Sequence, residues 1–258
     1  MIRVFLLAFF FSGSLLAQGF DHSHATWNAL LKKHVVLVSG GEASQMRYAE
    51  MAKERAALKG YLDLLSAVKE QEFNGWSKPR RMAFLINAYN AFTVEKILTR
   101  YPNIKSIWDF GKVFGNPFKD EFFMLLGRRS SLDQIEHETL RKPKAYDEPR
   151  VHFAVNCASI GCPMLREEAY VADRLEAQLA QQAERFLSDR SRNRAAGGKL
   201  EVSKIFDWFK EDFAPREQFF AKYAKLLSDD AGQQKLVAEG KAALSFLDYD
   251  WTLNDAKP

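Results

Sequence analysis

An uninterrupted apolar stretch within one predicted helix is the strongest constraint on how this chain folds. The stretch reads MAFLINAYNAF over residues 82–92, and its only polar groups belong to Asn87, Tyr89 and Asn90. It lies inside a segment of about 78–100 that has the start and stop signals of a helix. A helix that is apolar on all sides must be surrounded by other elements. The sequence therefore predicts a domain built around one buried central helix.

The two asparagines of this helix predict a buried polar network. Asn87 and Asn90 are three positions apart, so their side chains point in similar directions from the helix. A buried carboxamide without hydrogen-bond partners costs free energy. We therefore expect polar groups to meet both side chains, with Glu136 or the side of the chain that carries His152 and Asn156 as the partners.

Length, composition and charge limit the class of protein. The 258 residues are 47% hydrophobic and 27% charged, which excludes a mainly disordered, collagen-like or fibrous chain. This length suits one large domain with a sizeable core. Lys and Arg total 37 against 33 Asp and Glu, and the resulting net charge of +4 is too small to indicate nucleic-acid binding.

The first 17 residues have the layout of a secretory signal peptide. Arg3 precedes an apolar run, and Ala17 supplies a small residue at the predicted cleavage position. The run from Val4 to Phe11 is far shorter than the roughly 20 residues that span a bilayer. We expect cleavage after Ala17 and a periplasmic or secreted protein without a membrane span.

A second helix, predicted over 132–141, carries a carboxylate on its apolar side. The helical period places Glu136 within the inward face and His137 away from it. Two interpretations of Glu136 remain open. It is either a core ion-pair partner of an arginine such as Arg81 or Arg150, or an active-site carboxylate.

Residues 150–156 alternate between apolar and polar side chains, a pattern that predicts a β-strand. His152 and Asn156 share its polar face. Cys157 follows at the end of the strand, in a short loop that also contains Cys162. Loops positioned by a rigid element commonly carry functional residues. On an ideal strand, however, His152 and Cys157 face opposite ways, so they meet only if the chain bends.

The two cysteines allow two interpretations. In an exported protein, Cys157 and Cys162 are candidates for a disulfide or an inert pair, although the loop between them is very short. Alternatively, Cys157 is a nucleophile, His152 is its base, Glu136 or an asparagine orients the imidazole, and a nearby amide stabilises an oxyanion. The spacing is not CxxC, which weakens a redox role. No motif predicts a metal site or a cofactor.

The remaining patterns complete a prediction of fold class. We expect an α+β fold, a compact, mainly helical single domain with a small sheet. Residues 18–76 form an N-terminal helical segment packed on a core of residues 77–258. The predicted helices are 21–34, 46–68, 78–100, 132–141, 173–187, 203–213 and 216–227, and the predicted extended segments are 121–129, 150–156, 200–202 and 244–253.

Several sequence blocks, in the same order, resemble the domain-of-unknown-function family 547 (DUF547). The resemblance implies a compact domain with Asn87, Asn90, Glu136, His152, Asn156, Cys157 and Cys162 in the motif positions. A distant similarity to papain-like and transglutaminase-like thiol enzymes is a further hypothesis, but this chain lacks their cysteine at a helix start. The blocks are INAYNAF (86–92), LDQIEHETLR (132–141), RVHFAVNCASIGCPMLR (150–166), SKIFDWFKEDF (203–213) and YDWTLN (249–254).

Two functions from different classes follow. The first is a thiol-dependent hydrolase or acyltransferase that acts on peptide or cell-envelope material. The alternative is a noncatalytic periplasmic binding module in which Cys157 and Cys162 form a disulfide and the polar network fixes the fold. The aromatic side chains within 203–213 are predicted to pack in the core, and at most to line a groove for a peptide or glycan.

Overall fold

The structure, a computed structural model, describes residues 19–111 and 115–257. The predicted signal segment, residues 1–17, therefore lies outside the described residues. None of the described helices is both long and apolar enough to cross a membrane. The α-helices are α1 (Ala25–His34), α2 (Tyr48–Lys53), α3 (Arg55–Ala67), α4 (Glu70–Asn74), α5 (Lys78–Leu98), α6 (Leu175–Ser188), α7 (Ile205–Trp208), α8 (Arg216–Lys222), α9 (Ala224–Leu227) and α10 (Ala231–Ala238).

Short strands form three small sheets beside these helices, which confirms the predicted α+β class. Two of the sheets are antiparallel hairpins, and the third has the strand order β5-β6-β7, with β6 and β7 parallel. The strands are β1 (Val35–Val38) paired with β2 (Ala43–Met46), β3 (Phe123–Leu125) paired with β4 (Arg128–Ser130), and β5 (Arg194–Ala196), β6 (Lys199–Ser203) and β7 (Ala243–Leu247).

The predicted central helix is α5, and it is buried without interruption over residues 82–94. Side chains of α1, α3 and α4 belong to the same hydrophobic cluster as those of α5. Helices α1, α3 and α4 therefore pack against α5. The same N-terminal part of the chain also contains the β1–β2 hairpin, which the sequence pattern did not predict. Because α5 is apolar on all sides, it must be covered by other elements, and the contacts with these helices provide that cover.

A second hydrophobic cluster lies around α6 and the three-stranded sheet. Phe153 belongs to this second cluster, whereas its near neighbours Val151 and Val155 belong to the cluster around α5. The chain from 151 to 155 therefore runs between the two clusters. Because packed side chains hold it on both sides, this segment can position functional groups with little freedom.

The strand predicted at 150–156 is wrong, because the chain forms a 3₁₀ helix over Pro149–Phe153 instead. Pro149 fixes the first helical φ, and the Glu148 side chain caps the turn by accepting from the Arg150 N–H at 3.1 Å. Every residue from 151 to 159 is buried. The alternation of polar and apolar side chains in this segment therefore does not separate an exposed face from a buried one. The polar side chains and the apolar side chains instead meet different partners inside the protein.

Three other predicted elements differ in detail. The single strand predicted at 121–129 is the β3–β4 hairpin, whose turn places Leu126 and Gly127 at positive φ. The helix predicted at 132–141 is present as a π-helix over Gln134–Leu140. The helix predicted at 203–213 is shorter in the structure, where it is confined to α7. The second half of the predicted helix instead forms part of a pocket wall.

Candidate functional site

Asn90 and Asn156 hold the backbone that leads to Cys157. Asn90 Nδ2 donates to the carbonyl oxygen of Ala154 at 2.9 Å, and the N–H of Asn156 donates to Asn90 Oδ1 at 2.8 Å. Asn156 Nδ2 in turn donates to the carbonyl oxygen of Pro163 at 2.8 Å, and its Oδ1 accepts from the N–H of Ala158 at 2.9 Å. These carboxamides fix both ends of the cysteine loop.

Asn87 serves a different part of the chain. Its Nδ2 donates to the carbonyl oxygen of Tyr170 at 2.7 Å, and its Oδ1 accepts from the N–H of Tyr170 at 3.0 Å. Both asparagines of α5 therefore have buried polar partners, as predicted, and these partners are backbone groups. The partners predicted for Asn87, Glu136 or the side of the chain with His152 and Asn156, are wrong.

The cysteine loop is also joined to the C-terminal segment. The N–H groups of Ile160 and Gly161 donate to the carbonyl oxygens of Thr252 and Asp250, each at 2.8 Å. A Cβ atom on Gly161 would lie 2.9 Å from the backbone nitrogen of Asp250 and 3.0 Å from its carbonyl oxygen. The close pairing of these two segments therefore requires glycine at position 161, and it brings Tyr249 to Cys157.

We expect Gly161→Ala to slow the alkylation of Cys157 and to destabilise the fold by about 1 to 3 kcal/mol, because overpacking against backbone forces the two segments apart. The measurement is the rate of iodoacetamide labelling together with urea denaturation. Gly60→Ala is the control, since a Cβ there meets no atom within 4 Å. Equal labelling rates in Gly161→Ala and the wild type would contradict this account of the loop.

Three polar side chains surround the sulfur of Cys157. The hydroxyl groups of Ser159 and Tyr249 lie 3.1 Å and 3.2 Å from Cys157 Sγ, and 3.3 Å from each other. Cys162 completes the group, and its Sγ accepts from the N–H of Cys157 at 3.0 Å. We call Cys157, Ser159, Cys162 and Tyr249 the thiol cluster.

The thiol cluster makes its two cysteines unequal. Burial opposes ionisation of Cys157, but hydrogen bonds from Cys162, Ser159 and Tyr249 outweigh it and lower the pKa of this thiol. Burial and the neighbouring Cys157 raise the pKa of Cys162 well above its ordinary value. Cys157 is therefore the more acidic thiol of the pair.

The two cysteines do not form the disulfide that the sequence allowed. Both are free thiols in the part of the chain that the structure describes. The sulfur of Cys157 is directed to the hydroxyl groups of Ser159 and Tyr249, and the sulfur of Cys162 is held on a backbone N–H. Each sulfur therefore has its own hydrogen-bond partners and is not bonded to the other sulfur.

A histidine between two carboxylates forms the second part of the site. His152 Nε2 lies 2.6 Å from Asp212 Oδ2, and His152 Nδ1 lies 3.6 Å from Glu136 Oε1. Arg141 binds Asp212 through two nitrogens, with Nε to Oδ2 at 2.5 Å and Nη2 to Oδ1 at 3.2 Å. Phe209 stacks on the imidazole with ring centroids 4.0 Å apart. We call Glu136, Arg141, His152 and Asp212 the histidine cluster.

The histidine cluster favours a charged imidazole. Burial lowers the pKa of His152, but Asp212 and Glu136 outweigh burial and raise it. Burial likewise opposes the charge on Glu136, yet His152, His137 and the Tyr89 hydroxyl bring the pKa of Glu136 below its ordinary value. The pKa of Asp212 is held far below its usual range by His152 and Arg141, against the effect of burial. The two carboxylates thus favour the imidazolium form of His152.

The histidine cluster resolves the two interpretations of Glu136. Its side chain is only 12% exposed, as the helical period predicted, and its ionic partner is His152. The predicted partners were Arg81 and Arg150, and Arg150 instead pairs with Glu148 and Glu176. Glu136 therefore faces the pocket that also contains Cys157 and is not part of an arginine ion pair in the core.

One pocket of about 140 Å³ joins the thiol cluster to the histidine cluster. This space holds on the order of four to five water molecules. Cys157 and His152 both line it, so the bend that the sequence analysis required is supplied by the 3₁₀ helix. The residues that share this pocket and were singled out from the sequence are Glu136, His152, Cys157 and Cys162.

The predicted cysteine–histidine pair is not a hydrogen-bonded dyad. Among the described residues, the ring nitrogens of His152 approach Asp212 and Glu136, whereas Cys157 Sγ approaches hydroxyl groups. None of Asn87, Asn90 and Asn156 lines the pocket in the described part of the chain. Their amides are used by backbone groups, so the oxyanion donor that the sequence analysis sought is not one of them.

Three residues of this site, Ser159, Asp212 and Tyr249, were not predicted from the sequence, whereas Trp208 belongs to the aromatic group expected at most to line a groove. Ser159 lies in the cysteine loop, and Asp212, Trp208 and Tyr249 lie in the later blocks SKIFDWFKEDF and YDWTLN. The aromatic composition of these blocks suggested core packing, which is correct for the buried Phe206 and Phe213. A signal was present in the acidic residues Asp207, Glu211 and Asp212, which the first of these blocks places beside aromatic residues.

Among the described residues, no group of three or more His, Cys, Asp or Glu side chains is arranged to hold a metal ion. The chain presents a mainly helical α+β domain in which a cysteine thiol and a histidine–carboxylate group line one pocket.

Residues 73–187 match the family model described as "Protein of unknown function, DUF547", and the protein is a DUF547 domain-containing protein. The matched range includes α5, Glu136, His152 and both cysteines, whereas Asp212 and Tyr249 lie beyond it. No curated protein and no solved structure matches the chain, so the papain-like and transglutaminase-like similarity has no support.

Proposed function

We propose that this pocket catalyses thiol-dependent acyl transfer or hydrolysis, with Cys157 as the nucleophile and His152 as the proton donor and acceptor. The observation that carries the proposal is the asymmetry of the thiol cluster, in which the hydroxyl groups of Ser159 and Tyr249 both approach one buried sulfur at the wall of a pocket. A purely structural pair of thiols has no need of two hydroxyl groups at one sulfur and a histidine in the same pocket.

In the first step, the Cys157 thiolate attacks the carbonyl carbon of an amide or ester. As the carbon–sulfur bond forms, the sulfur loses its negative charge and the carbonyl oxygen gains one. The Ser159 and Tyr249 hydroxyl groups then have no thiolate to stabilise and are placed to donate to this oxyanion. The bond to the leaving group breaks, and the leaving nitrogen or oxygen takes a proton from the His152 imidazolium.

In the second step, water or another nucleophile attacks the thioester. Neutral His152 takes the proton from the attacking group, and the carbon–sulfur bond breaks to restore the Cys157 thiolate. The two carboxylates beside His152 favour its charged form at both ends of the cycle. This assigns His152 first as an acid, in contrast to the role of base that its sequence position suggested, because the groups that lower the pKa of Cys157 are Cys162, Ser159 and Tyr249 and not His152.

The proposed substrates are peptide or cell-envelope acyl compounds, and the proposed location is the periplasm or the exterior. The location depends on residues 1–17, which have the signal-peptide layout. N-terminal sequencing of the exported fraction should begin at Gln18. A chain that still begins at Met1 would contradict the proposed export.

Acyl trapping tests the proposed chemistry. The protein is mixed with p-nitrophenyl acetate, and the acetyl adduct is located by peptide mass spectrometry and removed with hydroxylamine. We expect a thioester on Cys157 that is absent in Cys157→Ser and present in Cys162→Ser. An adduct spread over lysines, or an equal yield on both cysteines, would contradict the proposal and favour a noncatalytic binding module.

A further inference from the structure

An aromatic surface continues outward from the pocket. Its members are Trp108, Phe118, Trp208, Tyr249 and Trp251, which we call the aromatic shelf. The ring centroid of Trp251 lies 5.4 Å from that of Trp108, 5.7 Å from that of Trp208 and 4.5 Å from that of Tyr249. The five rings therefore form one continuous surface.

The shelf is not a core cluster that happens to reach the surface. Trp108 is 41% exposed and Trp208 is 45% exposed, which is costly for such large apolar side chains. Every shelf residue except Trp108 also lines the pocket beside Cys157. Since the pocket itself holds only about 140 Å³, a larger substrate must extend over the shelf.

The charges around the shelf indicate the chemistry of its ligand. Asp133 and Glu136 line the pocket, whereas none of the described residues that line it is Lys or Arg. The charge of His152 is already balanced by Glu136 and Asp212. Asp133 has only a long contact to His137, at 3.9 Å. Aromatic faces beside an available carboxylate attract an organic cation, and indole is the most favourable ring for this.

A buried polar atom points independently to a ligand. The side chain of His152 is 1% exposed, and its Nδ1 has no hydrogen-bond partner among the described residues. The nearest carboxylate oxygen, Glu136 Oε1, lies 3.6 Å from this Nδ1, beyond hydrogen-bond distance, so the buried nitrogen is open to a closer partner. An amide group of a bound substrate provides one.

We propose that the aromatic shelf and Asp133 bind an alkylammonium group of the substrate, specifically the side chain of a lysine residue in a peptide. This inference rests on the proposed acyl transfer, since it names the substrate of the same pocket. The ammonium group lies against the indole faces and near Asp133, and the peptide amide reaches His152 and Cys157. A neutral side chain of equal length gains the apolar contact without the electrostatic attraction.

Tryptophan fluorescence tests the proposal directly, because three of the five tryptophans lie on the shelf. The probes are N-acetyl-lysine N-methylamide and its neutral analogue N-acetyl-norleucine N-methylamide. We expect the lysine probe to bind at least tenfold more tightly. Asp133→Asn should reduce this preference to twofold or less, and Trp208→Leu should weaken the binding of both probes.

The controls separate this inference from the proposed chemistry. Asp63→Asn removes an exposed carboxylate on α3 and should leave the preference unchanged. Cys157→Ser should bind the lysine probe as tightly as the wild type does. Binding can therefore be measured even if the proposed acyl transfer does not occur. Asp133→Asn keeps the size of the side chain, so it serves as the test if Trp208→Leu fails to fold. Equal affinity for the two probes in the wild type would overturn the proposal.

Discussion

Replacing Asn90 with leucine should lower the free energy of unfolding by about 2 to 5 kcal/mol and slow the alkylation of Cys157. The substitution keeps the approximate volume but leaves the carbonyl oxygen of Ala154 and the N–H of Asn156 without their partner. Each buried backbone group that loses its hydrogen bond costs about 1 to 3 kcal/mol. The same backbone leads directly to Cys157, so its displacement also disturbs the thiol cluster.

Asn87→Leu is the matched control for this prediction. Asn87 lies three positions earlier on α5 and makes the same kind of paired contact, but to Tyr170. It should destabilise the fold by a similar amount in urea denaturation and leave the labelling rate of Cys157 in the native state within about twofold of the wild type. If both variants slowed labelling equally, the effect would come from general loosening and not from the Asn90 contacts.

Replacing Asp212 with asparagine should reduce acyl transfer by about 100-fold or more, the usual range for loss of a positioned acid or base. Asparagine keeps the shape of the side chain but removes the charge that His152 meets at 2.6 Å. The pKa of His152 should therefore fall, which removes the proton needed by the leaving group. The measurements are the rate of thioester formation and the NMR titration of the His152 ring.

The pH dependence of stability gives a second readout of the same variant. In the wild type the raised pKa of His152 stabilises the fold fully below about pH 6.5, its ordinary pKa, and this contribution is lost as pH rises through the higher folded-state value. Asp212→Asn should reduce this pH-dependent contribution of His152 to the free energy of unfolding. Asp207→Asn, an exposed carboxylate on α7, is the control. An unchanged His152 titration in Asp212→Asn would contradict the assigned contact.

The sequence predicted features that depend on local spacing. The all-round apolar pattern of α5 and the inward position of Glu136 on its helix follow from the helical period alone, and both are confirmed. The strand at 150–156 failed because period-two alternation normally reports one buried and one exposed face. Here the whole segment is buried between two hydrophobic clusters, so the polar side chains found partners inside the protein.

The candidate site could be predicted only in part for a related reason. His152 and Cys157 are close in sequence, whereas Asp212 and Tyr249 reach them across 60 and 92 positions. No local pattern encodes such contacts, which depend on how the C-terminal segment pairs with the cysteine loop. The same pairing explains why His152 makes no direct hydrogen bond to Cys157 among the described residues, since hydroxyl groups occupy the position beside the sulfur.

The pH–rate profile of cysteine alkylation in the native protein tests the central claim most directly. Iodoacetamide labelling of Cys157 and Cys162 is followed separately by peptide mass spectrometry, without reductant and then after denaturation. We predict that Cys157 reacts with a midpoint below about pH 8.5, the ordinary thiol value, and that Cys162 reacts at least ten times more slowly until the protein unfolds. Equal rates for the two cysteines, or a quantitative Cys157–Cys162 disulfide in the unreduced protein, would contradict an activated Cys157.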